Sequence, residues 1–149
     1  MTKNVVPTNV LFISGEPSGD LHASFLIEAM KKLDNNIYIF GCGGDHSQEQ
    51  GMELLAHTRD LSVMGFSEVL PAIPRLKRLE RQLVDEARKR KTKLAVLIDY
   101  PGFNLSIAPK LKKLGIRVVY YISPQFWAWH EKRVEKIKRY VDQIGRAHV

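Results

Sequence analysis

Four short runs constrain this chain more than any other feature. Each is cut off by glycine, proline or an acid and followed by residues at helical spacing. The runs are Val10–Ile13, Ile37–Phe40, Leu94–Ile98 and Arg117–Ile122. All are of strand length. Leu94–Ile98 is uniformly apolar, as a parallel strand covered on both faces must be. Leu21, Phe25, Ala29 and Leu33 then recur at helical spacing, with Asp20 as a first-turn acid or cap. Residues 45–50 read as a weaker helix stopped by Gly51, and 52–74 have no regular period. Over 75–91, Leu76, Leu79, Leu83, Val84 and Ala87 share one helical face. Leu105, Ala108, Leu111 and Leu114 make the next helix, with Asn104 as candidate N-cap and Gly115 as the stop. Val134, Ile137, Val141 and Ile144 make the last.

This alternation predicts an α/β fold, a Rossmann-like parallel sheet with helices on both faces. Open parallel sheets bind ligands beyond the carboxyl ends of their strands. The loops of interest are therefore SGEPSGD (14–20), GCGG (41–44), DYPGFN (99–104) and SPQFWAW (123–129).

With 149 residues, 44% of them hydrophobic, the chain is long enough for one domain with its own core. The lone cysteine, Cys42, excludes a disulfide framework and speaks against a cysteine-based zinc site. The start of the chain has no signal-peptide apolar core, and no run approaches the ~20 residues of a spanning helix. A cytosolic protein is expected. The net charge of +7 is unevenly spread. Residues 1–74 carry 4 Lys and Arg against 9 Asp and Glu; residues 75–149 carry 19 against 7. The second half must either face something anionic, such as a phosphorylated small molecule, a membrane surface or nucleic acid, or tolerate its own repulsion.

SGEPSGD joins a strand to a helix. Its glycines let a ligand approach the backbone, and the helix N-terminus offers N–H groups to an anion; a plain tight turn is the alternative. Gly15 and Gly19 do not make a dinucleotide fingerprint, and no Gly-Lys pair makes a P-loop, so dehydrogenase and NTPase readings lose their main support. Asp99 ends the most buried strand. It reads either as a general base taking a proton from a substrate hydroxyl or as a turn cap. Trp127 and Trp129 read as an apolar wall beside a ligand or as core packing. His22, His46, His57 and His130 lack metal-ligand spacing. Residues 61–79 set Val63, Met64, Phe66, Val69, Leu70 and Ile73 beside Arg75, Lys77 and Arg78. That suits a peripheral contact with an anionic bilayer, or a loop and helix packed on the domain with a solvated basic face.

Taken together, SGEPSGDLH (14–22), LSVMGFSEVLP (61–71), IDYPGFN (98–104) and YISPQFWAWHEKRVEKIKRYVD (121–142) resemble the lipid-A-disaccharide synthases, bacterial glycosyltransferases of lipopolysaccharide assembly. The resemblance runs in order from near the start to about Asp142. It implies the N-terminal half of a GT-B architecture, two Rossmann-like domains with the active site between them. It implies transfer from UDP-2,3-diacylglucosamine to 2,3-diacylglucosamine 1-phosphate, giving a β-1,6-linked disaccharide with inversion and without a metal or other cofactor. Asp99 then matches the proposed catalytic base. Ser14, Gly15, Glu16, Ser18, Gly19, Asp20, Asn104, Ser123, Gln125 and Trp127 become substrate-binding candidates, and 61–79 the membrane-touching surface. The expected location is the cytoplasmic face of the inner membrane, with no nucleic-acid partner and with a homodimer open.

The chain departs from this pattern in three places. Gly102 stands where many members carry a second acid. GCGGDHSQEQG differs from the usual continuation, which leaves residues 45–50 without an implied role. IGRAHV (144–149) resembles translated adapter DNA and reads as a non-native tail. The expected organisation is a truncated acceptor-side domain over 1–143, with the UDP-sugar domain absent and the fragment alone inactive. The competing readings are a basic nucleic-acid-binding domain and another GT-B nucleotide-sugar transferase.

Overall fold

The computed structural model describes residues 6–61, 66–122 and 139–146; side chains of 66–70, 122 and 144–146 are outside the description. Six parallel strands form one sheet: β1 Thr8–Ser14, β2 Ile37–Gly43, β3 Glu53–His57, β4 Leu94–Ile98, β5 Arg117–Ile122 and β6 Gln143–Arg146. Their order is β3-β2-β1-β4-β5-β6. Among the described residues the helices delimited at both ends are α1 Pro17–Leu33, α2 Asp45–Glu49, α3 Thr58–Leu61, α4 Phe66–Lys89 and α5 Pro101–Lys113. This is the α/β Rossmann-like sheet the alternation predicts, and its strand order reverses between β1 and β4.

Alternation along the central strands divides the core into two layers. Val10, Phe12, Ile39, Val96 and Ile98 face Ala23 and Ile27 of α1. Leu11, Ile13, Ala95, Leu97 and Val118 face Leu83 and Ala87 of α4 and Ile107 and Leu111 of α5. Helices therefore cover both faces, which is why β4 carries no polar residue.

Four local expectations are corrected. The buried face of α1 is Gly19, Asp20, Ala23, Ser24 and Ile27, whereas Leu21, Phe25 and Leu33 are exposed. Small residues bring α1 close to the sheet: a β-carbon on Gly19 would sit 3.4 Å from Ile98 Cγ2. Helix α4 begins at Phe66, not near Arg75, and runs through Pro71 and Pro74. Each proline removes one backbone donor, but packing of Ala72, Leu76, Leu79 and Leu83 carries the helix through them. Asn104 is not an N-cap; Tyr100 occupies that position, with Pro101 at the start of α5. Of the last expected helical face, Val134 and Ile137 lie outside the described residues, Val141 is not helical, and Ile144 belongs to β6. The Asp142 carboxylate accepts the Val118 N–H at 2.7 Å, and the Asp142 N–H donates to the Val118 carbonyl at 2.8 Å. That exchange turns the chain onto the sheet edge beside β5. The weak helix over 45–50 is present as α2, and Gly51 and Gly115 end their helices with φ of 91° and 78°.

Candidate active site

The ends of β1 and β4 lie side by side, with Ser14 opposite Ile98. Immediately beyond β4, Asp99 and Tyr100 both adopt left-handed backbone, with φ of 43° and 45°. Residues with side chains rarely do so, and two in succession persist only where their surroundings over-determine them. Here the surroundings can be named. The Asp99 N–H donates to the Tyr121 carbonyl at 3.0 Å. The Asp99 carbonyl accepts from the Tyr120 hydroxyl at 2.6 Å and from Asn104 Nδ2 at 2.9 Å. The Asp99 backbone is thus pinned at both its polar groups, while the residue itself is half-buried at the strand end.

Tyr100 is held just as closely. Its ring lies on Gly15, where a β-carbon would come within 2.5 Å of ring carbons. Its hydroxyl donates to the Leu61 carbonyl at 3.1 Å. Burial foremost, then the charge of Glu16, raises the Tyr100 phenol above its ordinary range. Glycine at 15 therefore has a physical reason: it provides a flat seat for this ring.

The β1–α1 loop splits in two. Ser14, Gly15, Gly19 and Asp20 are buried, whereas Glu16 and Ser18 are exposed. Ser14 Oγ donates to the Cys42 carbonyl at 3.4 Å. Asp20 is 3% exposed, and its carboxylate accepts the N–H groups of Gly44, His46 and Ser47 at 2.7, 3.0 and 3.1 Å. It is a helix cap, as its composition suggests, but for α2 rather than for its own helix. Glu16, the residue ahead of α1, makes no side-chain cap.

The structure therefore brings together Asp99 and the 14–20 loop, and sorts the remaining candidates by what they touch. Asn104 is fully buried, and its amide nitrogen donates toward the carbonyls of Ile13, Ile98 and Asp99. Ser123, Gln125, Trp127 and Trp129 lie outside the described residues, as do Val63 and Met64. Phe66, Val69 and Leu70 are in the first turns of α4, with their side chains outside the description. Ile73 is 43% exposed, beside exposed Arg75, Lys77 and Arg78. Sequence reasoning missed Tyr100 and Tyr120. A tyrosine sharing the face of Val118 in β5 was the available signal for Tyr120, because a buried hydroxyl must find a partner.

The model of a protein family described as lipid-A-disaccharide synthetase matches residues 10–146. The chain belongs to that family. The lipid-A-disaccharide synthase of Myxococcus xanthus is 46% identical over 138 residues, covering 93% of this chain and 36% of that protein. Proteins of the same name from an Anaeromyxobacter species and from Coxiella burnetii are 47% and 43% identical, again over 35% and 36% of their own lengths. The chain thus spans little more than a third of these family members. Among solved structures, a UGT transferase from Siraitia grosvenorii in complex with UDP superposes with a TM-score of 0.52 at 10% identity. That match covers 78% of this chain and 28% of the transferase, and it shows a shared fold.

Proposed function

We propose that this chain is the acceptor-side part of a lipid-A-disaccharide synthase, a GT-B glycosyltransferase whose UDP-sugar domain follows it in the complete protein. The observation that carries the reading is Asp99: a carboxylate at the end of a central strand, on a backbone pinned at both polar groups, in a chain of this family. In the reaction, Asp99 takes the proton of the acceptor's 6-hydroxyl. That oxygen attacks the anomeric carbon of UDP-2,3-diacylglucosamine as the bond to UDP breaks. UDP leaves, the centre inverts, and a β-1,6 linkage forms without a metal. The acceptor is 2,3-diacylglucosamine 1-phosphate. Exposed Glu16 and Ser18 would contact it. Ser123, Gln125 and Trp127, outside the described residues, are further substrate contacts in this reading, whereas Asn104 and Asp20 hold the loops around Asp99 and residues 14–20.

The test uses a complete protein containing this segment. Asp99→Asn is expected to lower turnover by roughly 10²-fold or more with little change in folding. Near-unchanged turnover removes Asp99 from the mechanism. The 149-residue chain alone is expected to show no transfer, and detectable turnover by it would overturn the two-domain reading.

The same reading places the protein on the cytoplasmic face of the inner membrane through residues 61–79. Among the described residues no helix is long and apolar enough to cross a membrane. Exposed Ile73 beside Arg75, Lys77 and Arg78 supports a peripheral contact. Co-sedimentation with anionic but not zwitterionic vesicles checks this, and light scattering of the same sample reports whether the protein is a homodimer.

A further inference from the structure

A cavity of about 300 Å³ lies at the amino ends of β4 and β5, the opposite end of these strands from Asp99. Its walls include Arg88, Lys91, Thr92 and Lys93 from the turn between α4 and β4, and Leu114 and Ile116 from the turn between α5 and β5. Among the described residues no acid lines it. We propose that this cavity binds the phosphate group of a small soluble compound, at a site separate from the acceptor crevice. Lys93 precedes β4 and Asp99 follows it, a span of about 20 Å, so one small ligand does not reach both.

The two turns are built alike. The Thr92 N–H donates to the Ala87 carbonyl at 3.0 Å and the Lys91 N–H to the Arg88 carbonyl at 3.1 Å. In the second turn the Ile116 N–H donates to the Leu111 carbonyl at 3.2 Å and the Gly115 N–H to the Lys112 carbonyl at 2.9 Å. Each is the pair of bonds that closes a helix through a left-handed residue. They occupy helix-end carbonyls whose partial negative charge would otherwise face an anion. The turns differ at the left-handed position itself. After α5 it is Gly115, with φ of 78°; after α4 it is Lys91, with φ of 52°. Glycine suits that backbone better, so the turn itself does not call for a lysine.

Thr92 is the second mismatch. It is 7% exposed, and its Oγ1 is buried without a hydrogen-bond partner among the described residues. A buried hydroxyl left unpaired is costly, and valine would fill the same space without that cost. A phosphate oxygen accepting from Thr92 removes it. Lys91 and Lys93 are exposed and form no ion pair among the described residues, whereas Arg88 is already paired with Asp85 at 2.9 Å. Three consecutive residues thus offer two uncommitted cations around one uncommitted donor, which is the chemistry a phosphate takes up. The volume is at the low end of the roughly 300–1,000 Å³ of small-molecule pockets, which leaves space for an organic part against Leu114 and Ile116. Because Thr92 is buried in the wall, the phosphate must enter the cavity to meet it, which a soluble compound does more readily than a headgroup held at a bilayer surface.

Both mismatches make the idea testable, because relieving them favours the fold and harms the site. Sodium pyrophosphate is titrated calorimetrically into the 149-residue chain near neutral pH, against sodium chloride of equal ionic strength. One saturable site with a Kd below about 1 mM is expected. Thr92→Val should weaken it by about 10-fold, and Lys91→Gly by about 5-fold. Neither should lower the urea unfolding midpoint, and Lys91→Gly should raise it. Arg81→Ala, which removes an exposed cation of α4 outside the cavity, and Asp99→Asn should leave the affinity unchanged. A response to pyrophosphate no larger than that to chloride overturns the proposal. So does an affinity that Thr92→Val and Lys91→Gly leave unchanged, or one that Arg81→Ala lowers as much as they do, which is the mark of diffuse charge attraction. Phosphatidylglycerol vesicles supply the last arm. Adsorption to them that Lys91→Gly abolishes, with pyrophosphate inert, assigns the cations to a lipid headgroup and overturns the soluble ligand.

Discussion

Asn104 Nδ2 donates to the carbonyl of Asp99 at 2.9 Å and lies 3.3 and 3.4 Å from the carbonyls of Ile98 and Ile13. One buried amide thereby ties the ends of the two central strands to the candidate base. Asn104→Ala removes a buried donor shared among these carbonyls, of which that of Asp99 keeps the Tyr120 hydroxyl, and is expected to cost about 2 kcal/mol. Asn104→Asp, which sets a carboxylate against those carbonyls, is expected to cost more. Urea unfolding midpoints measure both; a loss below about 0.5 kcal/mol for alanine would show that the amide contributes nothing to the fold.

Gly15 and Tyr100 form a second such pair. Gly15→Ala would put a methyl group within 2.5 Å of the Tyr100 ring, which must then leave its seat. A loss of about 1–3 kcal/mol is expected. In a Tyr100→Gly background the same change should cost much less, because nothing lies on position 15 and glycine suits the left-handed backbone. Additive losses in this double-mutant cycle would contradict the stacked arrangement.

Asp20 is expected to govern residues 44–47 from a distance. Asp20→Ala removes the acceptor of three backbone N–H groups and should cost about 2 kcal/mol. Hydrogen exchange separates this from general destabilisation. The amides of Gly44, His46 and Ser47 should lose protection well before those of β4. Uniform loss across the sheet would argue against a local cap.

Alkaline pH should act on the same region. Burial pushes the Cys42 thiol from 9.0 up to about 12, and burial also raises the Tyr100 phenol. Both groups are neutral in the fold and ionise more readily once exposed. Their contribution is whole below the unfolded thiol's pKa, near 9, and is lost as pH rises toward 12. Unfolding free energy should therefore fall above about pH 9, and less steeply in Cys42→Ala. A thiol reagent at about pH 8 should label Cys42 only after denaturation. Rapid labelling of the folded protein would show that the thiol is accessible.

The uniformly apolar β4, and the short runs of β1 and β2 with abrupt ends, were legible because a central strand is buried on both faces. Strand β3 was not. Its residues Glu53–His57 are all only partly buried at the sheet edge, so no periodicity survives there. Strand β6 hides in Gln143–Arg146, which pairs with β5 through its backbone after the Asp142–Val118 exchange and carries no strand pattern of its own. Asp99 could be singled out because strand ends face the crevice. The roles of Asn104, Tyr120 and Asp20 depend on partners five to 91 residues away in the chain, and no local pattern carries that information.

Two consecutive left-handed residues with side chains make positions 99 and 100 a place where selection for folding and selection for chemistry pull in opposite directions. A library of this loop sorted for heat resistance alone should drift toward glycine or asparagine at these two positions, where the left-handed backbone favours them. Sorted for turnover, it should return to aspartate at 99. The backbone at this strand end thus records which of the two pressures the chain has been under.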